Sequence, residues 1–228
     1  MTKKILITGA NGQLGHEMRN ALKGNNRFEC IFTDVAELDI CNAEAVKQTI
    51  ADNHIDYIVN CAAYTQVDKA EDNAELCKKI NTDAVENLAR AAADYGARMI
   101  HISTDYVFNG RGYRPYTEDV VPDPQSVYGS TKLEGEKILT DICPESIIIR
   151  TAWLYSPYGN NFVKTMLHLG EEREELSVVS DQIGTPTCAA DLAQAILVIL
   201  QADTFVPGTY HFSDEGACSW YDFTVTIH

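Results

Sequence analysis

Tyr128 and Lys132 stand four residues apart in the stretch Ser126-Val127-Tyr128-Gly129-Ser130-Thr131-Lys132, just after Pro122 and Pro124. On a helix, positions i and i+4 share a face, so a phenol and an ammonium would point the same way. A neighbouring cation stabilises phenolate and lowers the pKa of a tyrosine that otherwise titrates near ~10. Such a tyrosine can act as an acid near neutral pH. The plain alternative is an ordinary surface helix. In a chain with 11 tyrosines the pair proves nothing alone, so its meaning depends on whether the rest of the chain places it at a cofactor.

A cofactor turn stands at the N-terminus. Lys3 to Thr8 reads as a short buried strand, Gly9-Ala10-Asn11-Gly12-Gln13-Leu14-Gly15 follows at once, and a helical pattern runs on to about Lys23. Strand, glycine-rich turn and helix are the setting of a dinucleotide fingerprint. The spacing is G-x-x-G-x-x-G rather than G-x-G-x-x-G, with the same physics. Glycines permit a tight turn and close approach of a pyrophosphate, and the helix N-terminus offers free N–H groups and a positive dipole end. A glycine-rich surface turn is the alternative. Phe28 to Thr33 reads as the second strand, ending in Asp34. A carboxylate some 20 residues past such a turn typically bonds the adenosine ribose. Asp34 would also repel a 2′-phosphate, which favours NADH over NADPH. Asp39 stands where it could meet the base edge of adenine or simply cap its turn.

The elements that must position these groups alternate. Asp56–Asn60, Met99–Ser103 and Ser146–Thr151 read as further strands. Ala43–Asp52, a long helix from about Asn73 to Tyr95, and Tyr128 to Ile142 read as helices. This predicts an α/β fold with a doubly wound parallel sheet. The fourth strand delivers Thr104 and Asp105 at its C-terminal end, where open α/β sheets bind ligands. A loop rich in Gly, Pro and aromatic residues joins Asp105 to Gln125 and is long enough to be functional. Past Trp153 the pattern is mixed: helix at Phe162–Glu175, short strand at Ser177–Ser180, helix at Thr187–Gln201, short strand at Gly208–Phe212, and a helix start capped by Ser219 and Asp222. The expected organisation is a dinucleotide-binding core over 1–151 and a segment, 152–228, that contributes to a second small lobe and returns to the sheet.

Composition narrows the function classes. With 18 Lys and Arg against 33 Asp and Glu, the net charge is −15, which argues against nucleic acid as a partner. Seven cysteines, odd in number and without a C-x-x-C pair, fit a reducing cytoplasm better than a disulfide framework or zinc site. No apolar stretch approaches the ~20 residues of a membrane span. The six histidines show no metal-ligand spacing, and Glu171, Glu172, Glu174 and Glu175 read as a solvated helix face.

Together, Gly9–Gly15, Ser103-Thr104-Asp105-Tyr106-Val107-Phe108-Asn109-Gly110 and Tyr128-Gly129-Ser130-Thr131-Lys132 resemble the extended short-chain dehydrogenase/reductases. Five further blocks narrow the resemblance to the dTDP-4-dehydrorhamnose reductases: Cys61–Glu71, Arg150–Tyr155, Gly159–Phe162, Asp181–Thr187 and Gly208–His211. The resemblance spans essentially the whole chain. It implies reduction of the 4-keto group of dTDP-4-dehydro-L-rhamnose by NADH or NADPH. In that reading Tyr128 protonates the C4 oxygen, Lys132 holds the nicotinamide ribose and depresses the tyrosine pKa, and Thr104 bonds the same oxygen. Asp105 would face the substrate, and Trp153 the sugar or the nicotinamide. Within the cofactor-binding turn from Gly9 to Gly15, Asn11, Gly12, Gln13 and Leu14 would cradle the pyrophosphate; Asp39 and Ile40 would meet adenine, and Ala62, Ala63 and Tyr64 would line the cofactor. Members of the family can bind Mg²⁺ at a homodimer contact, but no local metal signature is visible.

The family continues for several dozen residues past the equivalent of His228, and those residues help build the sugar-nucleotide lobe. The expectation is therefore a C-terminally incomplete lobe, with an intact cofactor half and weakened substrate affinity. Two alternatives stand beside the reductase. One is a non-catalytic regulatory subunit of the same fold, which would have no need of Thr104, Tyr128 and Lys132 together. The other is a reductase or epimerase of a different nucleotide sugar.

Overall fold

The computed structural model describes residues 2–228. The chain opens with β1 (Lys3–Thr8), α1 (Gln13–Ala21), β2 (Phe28–Phe32), α2 (Ala43–Asn53) and β3 (Tyr57–Asn60). Next, α3 (Val67–Asp72) and α4 (Ala74–Lys78) lead through a π-helical turn at Lys79–Asp83 into α5 (Ala84–Tyr95) and β4 (Arg98–Thr104). A 3-10 turn at Asp105–Val107 and a long loop precede α6 (Val127–Ile142) and β5 (Ile147–Thr151). The remainder is β6 (Leu154–Tyr155), α7 (Phe162–Glu172), β7 (Ile183–Gly184), β8 (Thr187–Cys188), α8 (Ala189–Gln201), β9 (Gly208–His211), β10 (Cys218–Ser219) and α9 (Trp220–Ile227).

Six strands form one sheet in the order β2-β1-β3-β4-β5-β9, every pair parallel. Strand order reverses between β1 and β3, so the crevice beyond their C-terminal ends is the switch point at which such sheets hold ligands. Alternation along each strand feeds two cores. Leu6, Ile58, Met99 and Ile148 pack with Val46, Ile50, Val85, Leu88 and Leu139 of α2, α5 and α6. Ile5, Ile7, Val59, Ile100, Ile147 and Ile149 face Leu14, Met18, Leu192, Ile196 and Leu200 of α1 and α8. Helices on both faces explain why these strands read as apolar runs.

Three expectations need correction. The helix read as continuous over 73–95 is broken by the π turn. There α6 presses so close that a Cβ on Gly135 would lie 2.3 Å from the Asn81 carbonyl oxygen, and the Thr82 hydroxyl donates to the Thr131 carbonyl at 2.9 Å. The helix read to Glu175 stops at Glu172, with Arg173 extended at φ −128° and ψ 139°. Glu171, Glu172, Glu174 and Glu175 would crowd the negative end of the dipole, which opposes further helix. The expected strand at 177–180 is not one. The Val179 carbonyl accepts the Tyr221 N–H at 3.0 Å, but no ladder forms there, and β-branched residues without a partner strand do not make sheet.

Candidate active site

The glycine turn is built for close approach. Gly9 has φ +62°, and a Cβ there would fall 2.7 Å from the Ala62 backbone. A Cβ on Gly15 would fall 2.3 Å from the Gly9 carbonyl oxygen. Gly12 caps α1 with extended backbone and no side-chain bond, and the first turn of α1 holds no acidic residue. Its amides and dipole end are therefore left for an anion. These features fit a dinucleotide pyrophosphate. Gly9→Ala should cost about 1–3 kcal/mol for backbone held in the left-handed region and weaken dinucleotide binding along with it. Thermal unfolding and fluorescence titration with NADH check this; unchanged affinity would remove the turn from the cofactor site.

Asp34 lies beside that turn. Its Oδ2 accepts the Asn11 N–H at 3.0 Å and its Oδ1 the Val35 N–H at 2.8 Å. Asp39 caps its own turn, with Oδ1 accepting the Cys41 N–H at 2.9 Å. Ile40 turns its side chain into the core with Leu38. Ala62 donates its N–H to Asn60 Oδ1 at 3.2 Å, which sets the chain leaving β3 against Gly9. Asn81, from the π turn, brackets Tyr64: its Oδ1 accepts the Tyr64 N–H at 2.9 Å and its Nδ2 donates to the Tyr64 carbonyl at 3.1 Å. Gln13 and Leu14 open α1, with Leu14 in the core. Gln13 Oε1 accepts from Asn161 Nδ2 at 2.9 Å. Asn161 is also the N-cap of α7, its Oδ1 taking the Lys164 N–H at 3.0 Å. The glycine turn and α7 are thus tied through one amide pair.

Thr104, Asp105 and Tyr128 meet where β4 ends against the start of α6. Ser126 caps that helix, accepting the Gly129 N–H at 3.1 Å, and Glu71 of α3 accepts the Val127 N–H at 2.9 Å. Gly129 is needed here: a Cβ would lie 2.2 Å from the Tyr106 carbonyl oxygen. Tyr128 is buried against Ala70 and Cys77, with the Tyr106 ring edge-on at 5.6 Å. The Thr104 hydroxyl donates to Asp105 Oδ1 at 3.1 Å and accepts the Tyr106 N–H at 3.2 Å. Burial pushes the Asp105 carboxyl up to about 6, against the lowering pull of the Thr104 hydrogen bond. Since a carboxyl raised in the fold binds more protons there than in the unfolded chain, this site loses stability as pH climbs toward 6.

The structure corrects the relation between the pair first noted in the sequence. Burial drives the Tyr128 phenol well above the ordinary tyrosine range, Thr104 pulls it back, and Asp105, Tyr106 and Cys77 raise it further. Lys132, fully buried, spends its Nζ on the Ile102 carbonyl at 2.6 Å and on the His101 ring at 3.3 Å. Burial lowers its own pKa to about 8, against the raising pull of Glu136 and Cys77. Desolvation thus outweighs any lowering of the phenol: Tyr128 keeps its proton at neutral pH.

Trp153 sits at φ +47°, left-handed backbone that costs a residue other than glycine. Its ring lies on Gly184, where a Cβ would come within 2.4 Å, and stacks on Trp220 at 3.4 Å between centroids. Phe162 and Phe223 complete that aromatic cluster. Sequence reasoning missed Asn60, Asn81, His101 and Trp220. Asn81 did leave a signal, a polar residue next to the apolar stripe of a helix. Among the described residues no cluster of ligating side chains suits a metal ion, and no helix is long and apolar enough to cross a membrane.

Residues 3–228 match the protein family described as the RmlD substrate binding domain. The dTDP-4-dehydrorhamnose reductase of Escherichia coli K12 is 46% identical over 98% of this chain and 76% of its own length. A crystal structure of a dTDP-4-dehydrorhamnose reductase from Clostridium acetobutylicum superposes with a TM-score of 0.94 at 51% identity, covering 98% of this chain and 79% of that one. The Bacillus anthracis enzyme of the same name, solved in complex with NADP, gives a TM-score of 0.95 at 44% identity over 100% of this chain and 80% of its own.

Proposed function

The chain belongs to the RmlD substrate-binding domain family, that of the dTDP-4-dehydrorhamnose reductases, and we propose that it reduces the 4-keto group of dTDP-4-dehydro-L-rhamnose with NADH or NADPH, Tyr128 serving as the acid. The observation that carries this reading is the convergence of Thr104 and a buried, protonated Tyr128 at the end of β4, beside a glycine turn fitted to a dinucleotide. Residues 1–151 supply the cofactor core, and 152–228 the side that meets the sugar nucleotide.

A bound reduced nicotinamide supplies the hydride. The chain's own residues do the rest. Tyr128, protonated at neutral pH, gives its proton to the C4 oxygen as negative charge develops there. Thr104 offers a second donor to the same oxygen once its hydroxyl turns from Asp105, stabilising that charge. Lys132 holds the cofactor ribose. Trp153, rigid on Gly184, presents its ring to the sugar. Gly9, Asn11, Gly12, Gln13 and Gly15 hold the pyrophosphate, and Ala62, Ala63 and Tyr64 flank the cofactor. Ile40 reaches adenine through its backbone, since its side chain is in the core. The cytoplasm, where both cofactors are found, is the proposed compartment.

Following absorbance of the reduced cofactor with dTDP-4-dehydro-L-rhamnose tests the reading: steady oxidation supports it, and cofactor binding without oxidation sinks it. Asp34 supplies the second arm. Its carboxylate disfavours a 2′-phosphate, so Asp34→Ser should raise the NADPH-to-NADH ratio of kcat/KM by about tenfold, the loss of ~1.4 kcal/mol of repulsion. An unchanged ratio would remove Asp34 from the ribose site.

A further inference from the structure

Lys132 ends a buried chain of hydrogen bonds for which the proposed reaction has no use. Thr8, Asn60 and His101 lie side by side on β1, β3 and β4, Thr8 opposite Asn60 and Asn60 opposite His101 in register. All three are buried. Asn60 Oδ1 accepts the Thr8 hydroxyl at 2.7 Å and the Ala62 N–H at 3.2 Å. A hydroxyl can turn to give or take, but a backbone N–H can only donate, so Ala62 fixes the amide orientation. Asn60 Nδ2 must then donate to His101 Nδ1, 3.0 Å away. Burial, with Lys132 adding to it, holds His101 well below the ordinary histidine range, so the ring is neutral and carries one N–H. With Nδ1 accepting, that proton is on Nε2. It faces Lys132 Nζ at 3.3 Å.

An ammonium has three donors and no acceptor, whereas a neutral amine has a lone pair. The Nε2–H therefore suits the amine and opposes the ammonium. The remaining groups around Lys132 favour the cation. Glu136, one turn along α6, is already bound by Arg150 of β5 at 2.6 Å, and Cys77 approaches from α4.

We propose that His101, held by Asn60 with its proton on Nε2, is a positioning residue that loosens the proton on the Lys132 amine in the free protein, so that in mildly alkaline solution a ligand bringing hydrogen-bond acceptors to Lys132 is bound with uptake of a proton. Burial already lowers Lys132 to about 8, against Glu136 and Cys77, and the Nε2–H at 3.3 Å opposes the ammonium in the same direction. Cofactor ribose hydroxyls are acceptors of this kind, and to that extent the inference rests on the function proposed above.

The test begins on ligand-free protein carrying nitrogen-15 histidine. The expected spectrum shows His101 with a pyridine-like Nδ1 and a pyrrole-like Nε2. Asn60→Asp, which offers Nδ1 a carboxylate, reverses the two. A wild-type ring with a pyridine-like Nε2 overturns the proposal. His101→Gln, able to turn a carbonyl toward an ammonium, should move the Lys132 midpoint upward by roughly one pH unit. That midpoint is followed at carbon-13 Cε and assigned with Lys132→Met. An unmoved midpoint in folded His101→Gln also overturns it, and if that variant fails to fold, the wild-type tautomer still decides. Neither readout needs turnover. A protein with the expected tautomer and shift that reduces no nucleotide keto sugar keeps this inference and loses the reaction, and the converse result separates them equally well.

Discussion

Tyr128→Phe should lower turnover by at least ~100-fold, the usual scale for losing a positioned general acid, with melting temperature and dinucleotide affinity nearly unchanged. The ring makes the structural contacts: it packs on Ala70 and Cys77 and meets Tyr106 edge-on. Phenylalanine keeps them all. What disappears is the hydroxyl, and with it the proton the C4 oxygen needs. Burial keeps that hydroxyl protonated well past neutrality, so Tyr128 should contribute no alkaline limb in the neutral range. Any limb near pH 8 belongs to Lys132, whose pKa burial lowers to about 8. Its linkage also has a definite sign. Between about 8 and its unfolded value the fold binds fewer protons than the unfolded chain, so this site gains stability as pH rises through that window. Full turnover in Tyr128→Phe would remove the central assignment.

Glu136→Gln should strongly destabilise the fold. Arg150 Nε and Nη2 reach the Glu136 carboxylate at 3.0 and 2.6 Å, with both side chains buried. Removing one charge of a buried pair leaves the other uncompensated, at about 3–5 kcal/mol. For a chain of this size that corresponds to a melting point lower by roughly 10 °C. The damage should spread. Arg150 sits 5.2 Å from the Phe108 ring centre, Phe108 stacks on Tyr116 at 4.4 Å, and His211 Nδ1 donates to the Tyr116 carbonyl at 3.1 Å. The pair therefore anchors the loop that follows Asp105. Glu136→Met with Arg150→Met should recover most of the loss, because a well-packed apolar pair needs no compensation. A Glu136→Gln protein that melts with the wild type would show that this pair does not hold the loop.

Much of the fold could be read because strands covered on both faces are continuous apolar runs. Ile5–Ile7 and Ile147–Ile149 announced themselves, and the glycine turn followed β1 at once. What stayed hidden depended on contacts between distant segments. The π turn exists because Gly135 lets α6 press on Asn81, a pairing across 54 positions that no local pattern encodes. Within the site, Thr104 and Tyr128 were legible as the end of a strand and the start of a capped helix. His101 was not, because it reads as one more residue of an apolar strand. Alternation along β4 places it with Met99 toward α6, but only sheet register shows that Asn60 stands beside it. The Tyr128–Lys132 spacing was visible; the burial that reverses its expected effect on the phenol was not.

The bond between Gln13 and Asn161 has a thermodynamic reading. Gln13 opens the helix aimed at the pyrophosphate, and Asn161 caps α7. A nucleotide that draws on Gln13 acts on the cap of α7 as well. If that raises affinity for the sugar by some factor, the sugar must raise affinity for the nucleotide by the same factor, because the coupling free energy belongs to both equilibria. Asn161→Asp, which keeps the oxygen that caps α7 but loses the N–H that Gln13 accepts, would then make the two ligands bind as strangers.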